Sequence, residues 1–274
     1  MYILGISCFY HDSSAALLKD GKIIAAAAEE RFTRKKHDNS FPINAINFCL
    51  KSENISIKDV NYVGFYEKPL LKFERLLSQH IDTFPYSYKA FLLSIPSWLN
   101  EKLRMVRIIR KNIKYKGDIF FIEHHLAHAA AAFLPSNFEK SAIVTVDGVG
   151  EWSTTTYGMG IGNKIDLMKE IKFPSSLGLL YSTITAYLGF SVNDSEYKVM
   201  GLSPYGNMNK DTNIFYKKLK QVIDIKEDGS YRFDMDYFVY HYKDRMPSKK
   251  LFGLLGGPIR KSGDELTQRH KDIA

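Results

Sequence analysis

"SAIVTVDGVGEWSTTTYGMGIGNKIDLMKEI", residues 141–171, is a run of apolar alternation punctuated by glycine. Its apolar residues alternate in runs broken by a glycine turn at "DGVG" and a tight turn at "GN", which predicts strand, turn, strand, turn, strand. A helix-like run, "SLGLLYSTITAYLG" at 176–189, follows. The beginning of the chain has the same order: "YILGISCFY" at 2–10, "SSAALLKDG" at 13–21 and "KIIAAAAEE" at 22–30 read as three short strands. A helix is then expected from about Phe41, with Pro42 at its first position. Gly21-Lys22 in the first turn answers Asn163-Lys164 in the second, so a topology repeats although side-chain identities hardly do.

Two such halves make the α/β duplicated fold of the actin-like ATPases, also called ribonuclease-H-like, whose ligand lies in the cleft between the halves. Residues 1–138 are expected to form the first half and 139–274 the second. "VNYVGFYE" and "DIFFIE" supply a fourth and a fifth strand to the first half, and the basic, aromatic region of about 68–116 between them reads as a helical insertion broken at Pro96. The second half reads as incomplete: an irregular stretch from Asn207 to Lys250 leads into "GDELTQRHKDIA", a helix start with no apolar face to bury. A truncated chain is the expectation.

With 274 residues, 45% of them hydrophobic, the chain can bury a sizeable core. It has neither a membrane-spanning apolar run nor the features of a signal peptide, so a cytoplasmic location is expected. Cys8 and Cys49 lie in apolar surroundings and read as reduced core thiols. The net charge of +8 raises the question of a nucleic-acid partner. The basic residues are scattered over helix faces and loops without interleaved aromatics, which argues against one.

The chemistry concentrates in "EHHLAHAAAAF", residues 123–133. On a helix, His124 and His128 share a face, and His125 and His128 could also meet. Two imidazoles on adjacent turns can hold one divalent ion if a carboxylate or water completes the shell. The stretch follows a strand directly, where side chains project into the cleft of an open α/β sheet. "VTVDGVGE" ends another strand on Asp147, with Gly148 and Gly150 in a turn whose backbone N–H groups could approach phosphates.

Six ordered segments, "HDSSAALLKDGKI", "EERFTRKKH", "HHLAHAAAAF", "VDGVGEW", "SLGLLYSTITAYLGF" and "YKVMGLSPYG", resemble successive signatures of the NodU-type O-carbamoyltransferases, the family of antibiotic and nodulation-factor carbamoyltransferases. The resemblance implies transfer of a carbamoyl group from carbamoyl adenylate to a hydroxyl of a small-molecule or sugar acceptor. Carbamoyl phosphate and ATP, with Mg, would supply the adenylate in a C-terminal YrdC-like domain absent from this sequence. It implies a divalent metal, Fe(II) by family likeness although imidazole suits Zn or Ni as well, held by His124, His128 and Asp147, with a further aspartate beyond Ala274. His11 matches the family's base, and an imidazole suits that role because its ordinary pKa is near 6.5. Asp12 could orient it if the chain turns there. Lys36 matches a position associated with the carbamoyl or phosphate group, Arg31 and Arg34 less so, and Lys198 falls on the nucleotide side. Trp152 and Tyr205 read as core or cleft-lining aromatics. A tRNA threonylcarbamoyl transferase shares the HxxxH and is the second reading; a non-catalytic domain binding a nucleotide or a partner is the third, if the chain is complete. The acceptor and the oligomeric state are not legible.

Overall fold

A computed structural model describes residues Met1–Ala274. The chain divides into two compact units, Met1–Arg75 with Leu93–His128, and Leu76–Leu92 with Ala129–Ala274.

The first unit is built on β1 (Tyr2–Ser7), β2 (Ser14–Lys19), β3 (Lys22–Ala28), β4 (Tyr62–Phe65) and β5 (Asp118–Phe121). They form one sheet in the order β3-β2-β1-β4-β5. The three opening strands run antiparallel, whereas β4 joins β1, and β5 joins β4, in parallel. This is the sheet order of a ribonuclease-H-like half. Asp20 and Gly21 have φ of 50° and 79° in the β2–β3 turn, the left-handed pair that a two-residue hairpin requires. Every second residue of β1 points inward: Leu4 and Ile6 pack with Leu17, Val63 and Phe65 in the core. Helix α2 (Ile43–Ser52) covers them with Ala45, Ile46, Cys49 and Leu50, which recur at helical spacing. Pro42 caps this helix from outside instead of filling its first turn.

Glu29, almost fully buried after β3, fixes the start of α2. Its carboxylate accepts from the backbone N–H of Asn44 at 3.2 Å and of Ala45 at 2.8 Å, and from the Asn44 side chain at 2.6 Å. Helix first turns leave such N–H groups without intrahelical partners, so an anion here is stabilising. The short α1 (Glu30–Thr33) follows at once.

The insertion is helical, as expected: α3 (Pro69–Asp82), α4 (Tyr88–Asn100) and α5 (Met105–Ile113). Pro96 does not break it. It sits inside α4, which continues to Asn100; the one carbonyl that loses its partner belongs to Leu92, an exposed residue where water can take the bond. Helix α5 buries Met105, Ile109 and Ile113, a stripe four residues apart. Helix α6 (His124–Phe133) begins three residues after β5 ends.

The second unit repeats the three opening strands as β6 (Lys140–Val146), β7 (Ser153–Ile161) and β8 (Lys164–Lys172), antiparallel in that order. Helix α7 (Leu177–Tyr187) follows, then α8 (Glu196–Leu202). The stretch read as irregular contains α9 (Ile214–Lys220) and a hairpin of β9 (Ile223–Ile225) and β10 (Tyr231–Phe233), and leads into α10 (Lys249–Leu255). These elements are too short for periodicity to register, and aromatic packing makes them: Tyr187, Phe233, Phe238, Leu251 and Leu255 share one core. The final helix, α11 (Gln268–Ile273), corrects a second expectation. It buries His270 and Ile273, and Ile273 belongs to the same core. No helix is long and apolar enough to cross a membrane. Cys8 and Cys49 are buried free thiols, and burial pushes the Cys8 thiol far above its ordinary pKa.

Replacing Glu29 by Ala strands three donors at the buried start of α2. We expect a loss of about 2–4 kcal/mol in urea unfolding, with the slope unchanged; a change under about 0.5 kcal/mol would mean that water replaces the carboxylate there.

Candidate active site

In the first unit, the parallel register Ile6↔Phe65 and Phe65↔Phe121 brings the carboxyl ends of β1, β4 and β5 level. Ligands of open α/β sheets bind at such an edge, and each strand delivers polar groups there. From β1 come Tyr10 and His11, their rings 4.6 Å apart. From β4 come Tyr66 and Glu67; from β5, Glu123 and the histidines that open α6.

The HxxxH geometry is as the helical spacing requires. His124 and His128 place their Nε2 atoms 3.0 Å apart, with rings nearly perpendicular at 86°. Two nitrogens each about 2.0–2.1 Å from one cation stand roughly 3 Å apart across a near-right angle, so this pair fits a shared divalent ion. His124 packs T-shaped against Tyr66, ring centroids 5.5 Å apart. His125 is buried, and its ring meets that of His128 edge-on at a centroid distance of 6.2 Å. The helix that carries the pair is preceded by Glu123, which is held by Lys68 at 2.8 Å.

Behind β4, Glu67 and Lys72 form a buried ion pair at 2.5 Å. The Lys72 ammonium also stands 5.0 Å over the Tyr10 ring, and so an unbroken chain of contacts runs from Glu67 through Lys72 and Tyr10 to His11. Nothing in the local sequence signals the Glu67–Lys72 pair, because burial alone distinguishes it from two surface charges.

His11 is exposed in the β1–β2 turn, where its Nδ1 lies 2.9 Å from Asp12. The turn that this contact needs is present: Asp12 has φ of 47°. Burial pushes the Asp12 carboxyl up, but hydrogen bonds from His37 and then His11 outweigh it and hold the group below the usual carboxylate range. Lys36, Arg31 and Arg34 are all exposed, the first in the loop after α1 and the others on or just past that helix.

In the second unit, Asp147 follows β6, with its N–H donating to the Thr154 carbonyl at 2.9 Å and closing the glycine turn. Two residues that sequence reasoning missed shape this turn. Ser176 caps α7 by accepting from the Leu179 N–H at 3.0 Å, while its hydroxyl contacts the carbonyls of Asp147 at 3.0 Å and Gly148 at 2.6 Å. Gly178 lets the first turn of α7 approach so closely that a Cβ there would stand 2.5 Å from the Asp147 carbonyl oxygen. The "S-S-L-G" start of the helix was the available signal, a Ser cap with a glycine two positions on. Gly148 itself has open space, a Cβ meeting only Leu179 at 3.8 Å, and Gly150 donates its N–H to Ser153 at 2.9 Å. Lys198 is exposed on α8, its ammonium 5.8 Å over the Tyr197 ring. Tyr205 is 70% exposed, which excludes the core role; Trp152 is partly buried.

The first unit thus carries paired imidazoles at a strand end, and the second, by itself, a glycine turn packed against a helix start. The family described as Carbamoyltransferase N-terminus matches residues 2–274, and the chain belongs to it. It is 48% identical over its whole length to the uncharacterized protein sll1178 of Synechocystis sp., covering 45% of that protein. It is 33% identical over 97% of its length to the nodulation protein NolNO of Sinorhizobium fredii, covering 36% of it. The chain thus spans less than half the length of these curated relatives. Among solved structures, component A of the (R)-2-hydroxyglutaryl-CoA dehydratase of Acidaminococcus fermentans aligns at a TM-score of 0.41 and 13% identity, over 76% of this chain and 61% of that one.

A Gly178→Ala substitution forces the start of α7 away from the Asp147 carbonyl. We expect a cost of about 1–3 kcal/mol, together with amide shifts at Asp147 and Gly148 larger than those in α9. Unshifted turn amides would show that the approach of α7 does not hold the turn.

Proposed function

We propose that this chain is the carbamoyl-transferring part of an O-carbamoyltransferase, acting on a hydroxyl of a small-molecule or sugar acceptor. The observation that carries the reading is the imidazole pair of His124 and His128 at the carboxyl end of β5, 3.0 Å apart, in a chain of the carbamoyltransferase family.

In this reading the carbamoyl donor is carbamoyl adenylate, formed from carbamoyl phosphate and ATP with Mg in a YrdC-like part of the whole protein. Transfer then requires that an acceptor oxygen bond to the carbamoyl carbon, that the carbon–oxygen bond to the adenylate phosphate break, and that AMP depart with the electron pair. The hydroxyl proton must go to a base. His11 fits, since its Nδ1 faces Asp12 and its Nε2 is left to accept the proton. His124 and His128 would hold a divalent cation, with Asp147 as the further ligand that the family resemblance supplies. When bound, such an ion polarises the carbamoyl oxygen as a Lewis acid. Fe(II) is the family's choice, and two imidazoles accept Zn equally. Lys36, exposed and cationic at a position that the family resemblance associates with the carbamoyl or phosphate group, suits those oxygens of the donor. The glycine turn at Gly148 and Gly150, with Lys198, is assigned to the nucleotide. The scattered positive charge supports a small acceptor over tRNA, and a cytoplasmic site of action accords with the two reduced thiols.

The reading is tested with the protein at the length of its relatives, supplied with carbamoyl phosphate, ATP and a panel of hydroxylated acceptors. His11→Asn should lower carbamate formation at least 100-fold while carbamoyl adenylate still accumulates, both followed by mass spectrometry. Undiminished carbamate formation, or loss of the adenylate instead, would remove His11 from the transfer step.

A further inference from the structure

Beside His11 stands a second histidine that the transfer chemistry above does not use. His37 lies in the loop after α1, and its Nδ1 is 2.9 Å from Oδ1 of Asp12. The other oxygen of the same carboxylate, Oδ2, is 2.9 Å from Nδ1 of His11. One carboxylate therefore lies between two imidazoles, each presenting the same ring nitrogen.

This arrangement is held in place from several sides. The His37 backbone N–H donates to Glu30 at 3.1 Å. The loop is tied to the β1–β2 turn by Phe9 N–H donating to the Asn39 carbonyl at 2.9 Å and Ser13 N–H to the Asp38 carbonyl at 2.8 Å. Asp38, buried in that loop, accepts from the backbone and hydroxyl of Ser40 at 3.0 and 2.7 Å. Both Asp12 and His37 occupy left-handed backbone, with φ of 47° and 55°. Side chains rarely adopt that conformation, and it persists where surrounding contacts over-determine it. Two such residues meeting through their side chains mark a built contact between segments 25 residues apart.

We infer that His37 is a positioning residue which, through Asp12, fixes the tautomer and orientation of His11. The inference rests on the reading of His11 as the base and deepens it. An ionised carboxylate accepts only, so each imidazole donates its Nδ1–H to Asp12. With Nδ1 carrying its hydrogen, neutral His11 has its lone pair on Nε2, the atom turned away from Asp12. His37 takes up the second oxygen, which stops Asp12 from rotating to water or to another donor and keeps Oδ2 on His11. Among the charged groups nearby, Glu30 on α1 accepts from the His37 backbone, and Lys72 stands over the ring of Tyr10, the neighbour of His11.

The test is nitrogen NMR of the ring atoms in the chain labelled with ¹⁵N-histidine, at a pH where His11 is neutral. In the unmodified chain His11 should be predominantly the Nδ1–H tautomer. His37→Ala should lower the ratio of that tautomer to the Nε2–H form at least threefold. His37→Asn, whose side-chain N–H₂ can replace Nδ1–H but cannot be protonated, should restore it to within a factor of about 1.5. In the full-length enzyme the same Ala variant should lower kcat for carbamate formation roughly 10-fold with acceptor KM changed less than twofold, and Asn should recover most of the loss. A His11 tautomer ratio unchanged in His37→Ala overturns the inference. If the ratio moves as stated but His11→Asn leaves transfer intact, the positioning contact stands and the catalytic reading of His11 is what fails.

Discussion

Strand β1 is hydrogen-bonded on both edges, antiparallel to β2 and parallel to β4, and the placement of every candidate group in the first unit follows from that. A strand paired on both sides has no freedom to slip, because a shift by one residue would turn Leu4 and Ile6 out of the core. The β1–β2 turn, with His11 and Asp12, is consequently fixed relative to the ends of β4 and β5. From β4 the chain places Glu67 and Tyr66, and from β5 it places His124, T-shaped against Tyr66. Polar groups that are far apart in sequence become neighbours because three strand ends are level.

The supports behind this edge are buried and electrostatic. Glu29 holds α2 by its first-turn N–H groups, and its own N–H donates to the Ser13 carbonyl at 2.8 Å, so the same residue anchors the strand that leaves the His11 turn. Glu67 and Lys72 neutralise one another under Tyr10. Such a pair contributes less to net stability than its distance suggests, since desolvation offsets most of the attraction. What it supplies is a buried ammonium 5.0 Å over the Tyr10 ring, which in turn lies tilted against His11.

Much of this was legible in the residues. Alternation and turn chemistry showed the three opening strands and their repeat, because each strand has one buried face and each hairpin needs left-handed turn residues. The imidazole pair was legible because a helix converts a spacing of four into proximity. The contacts that escaped are those whose partners are remote in the chain: Glu29 with Asn44, Asp12 with His37, Ser176 with Asp147. No periodicity carries them, and only the fold brings His37, the last residue of "EERFTRKKH", against Asp12. The region of 207–250 escaped for another reason, since elements of three to seven residues are set by the aromatic core they join and not by local preference.

As proposed, His124 and His128 act as one ligand pair. X-ray absorption at the Zn edge of the chain loaded with one equivalent of Zn(II) tests it most directly. Two imidazole nitrogens are expected at about 2.0–2.1 Å, falling to one in His128→Ala. A first shell of oxygen alone, or two imidazoles retained in that variant, would contradict it.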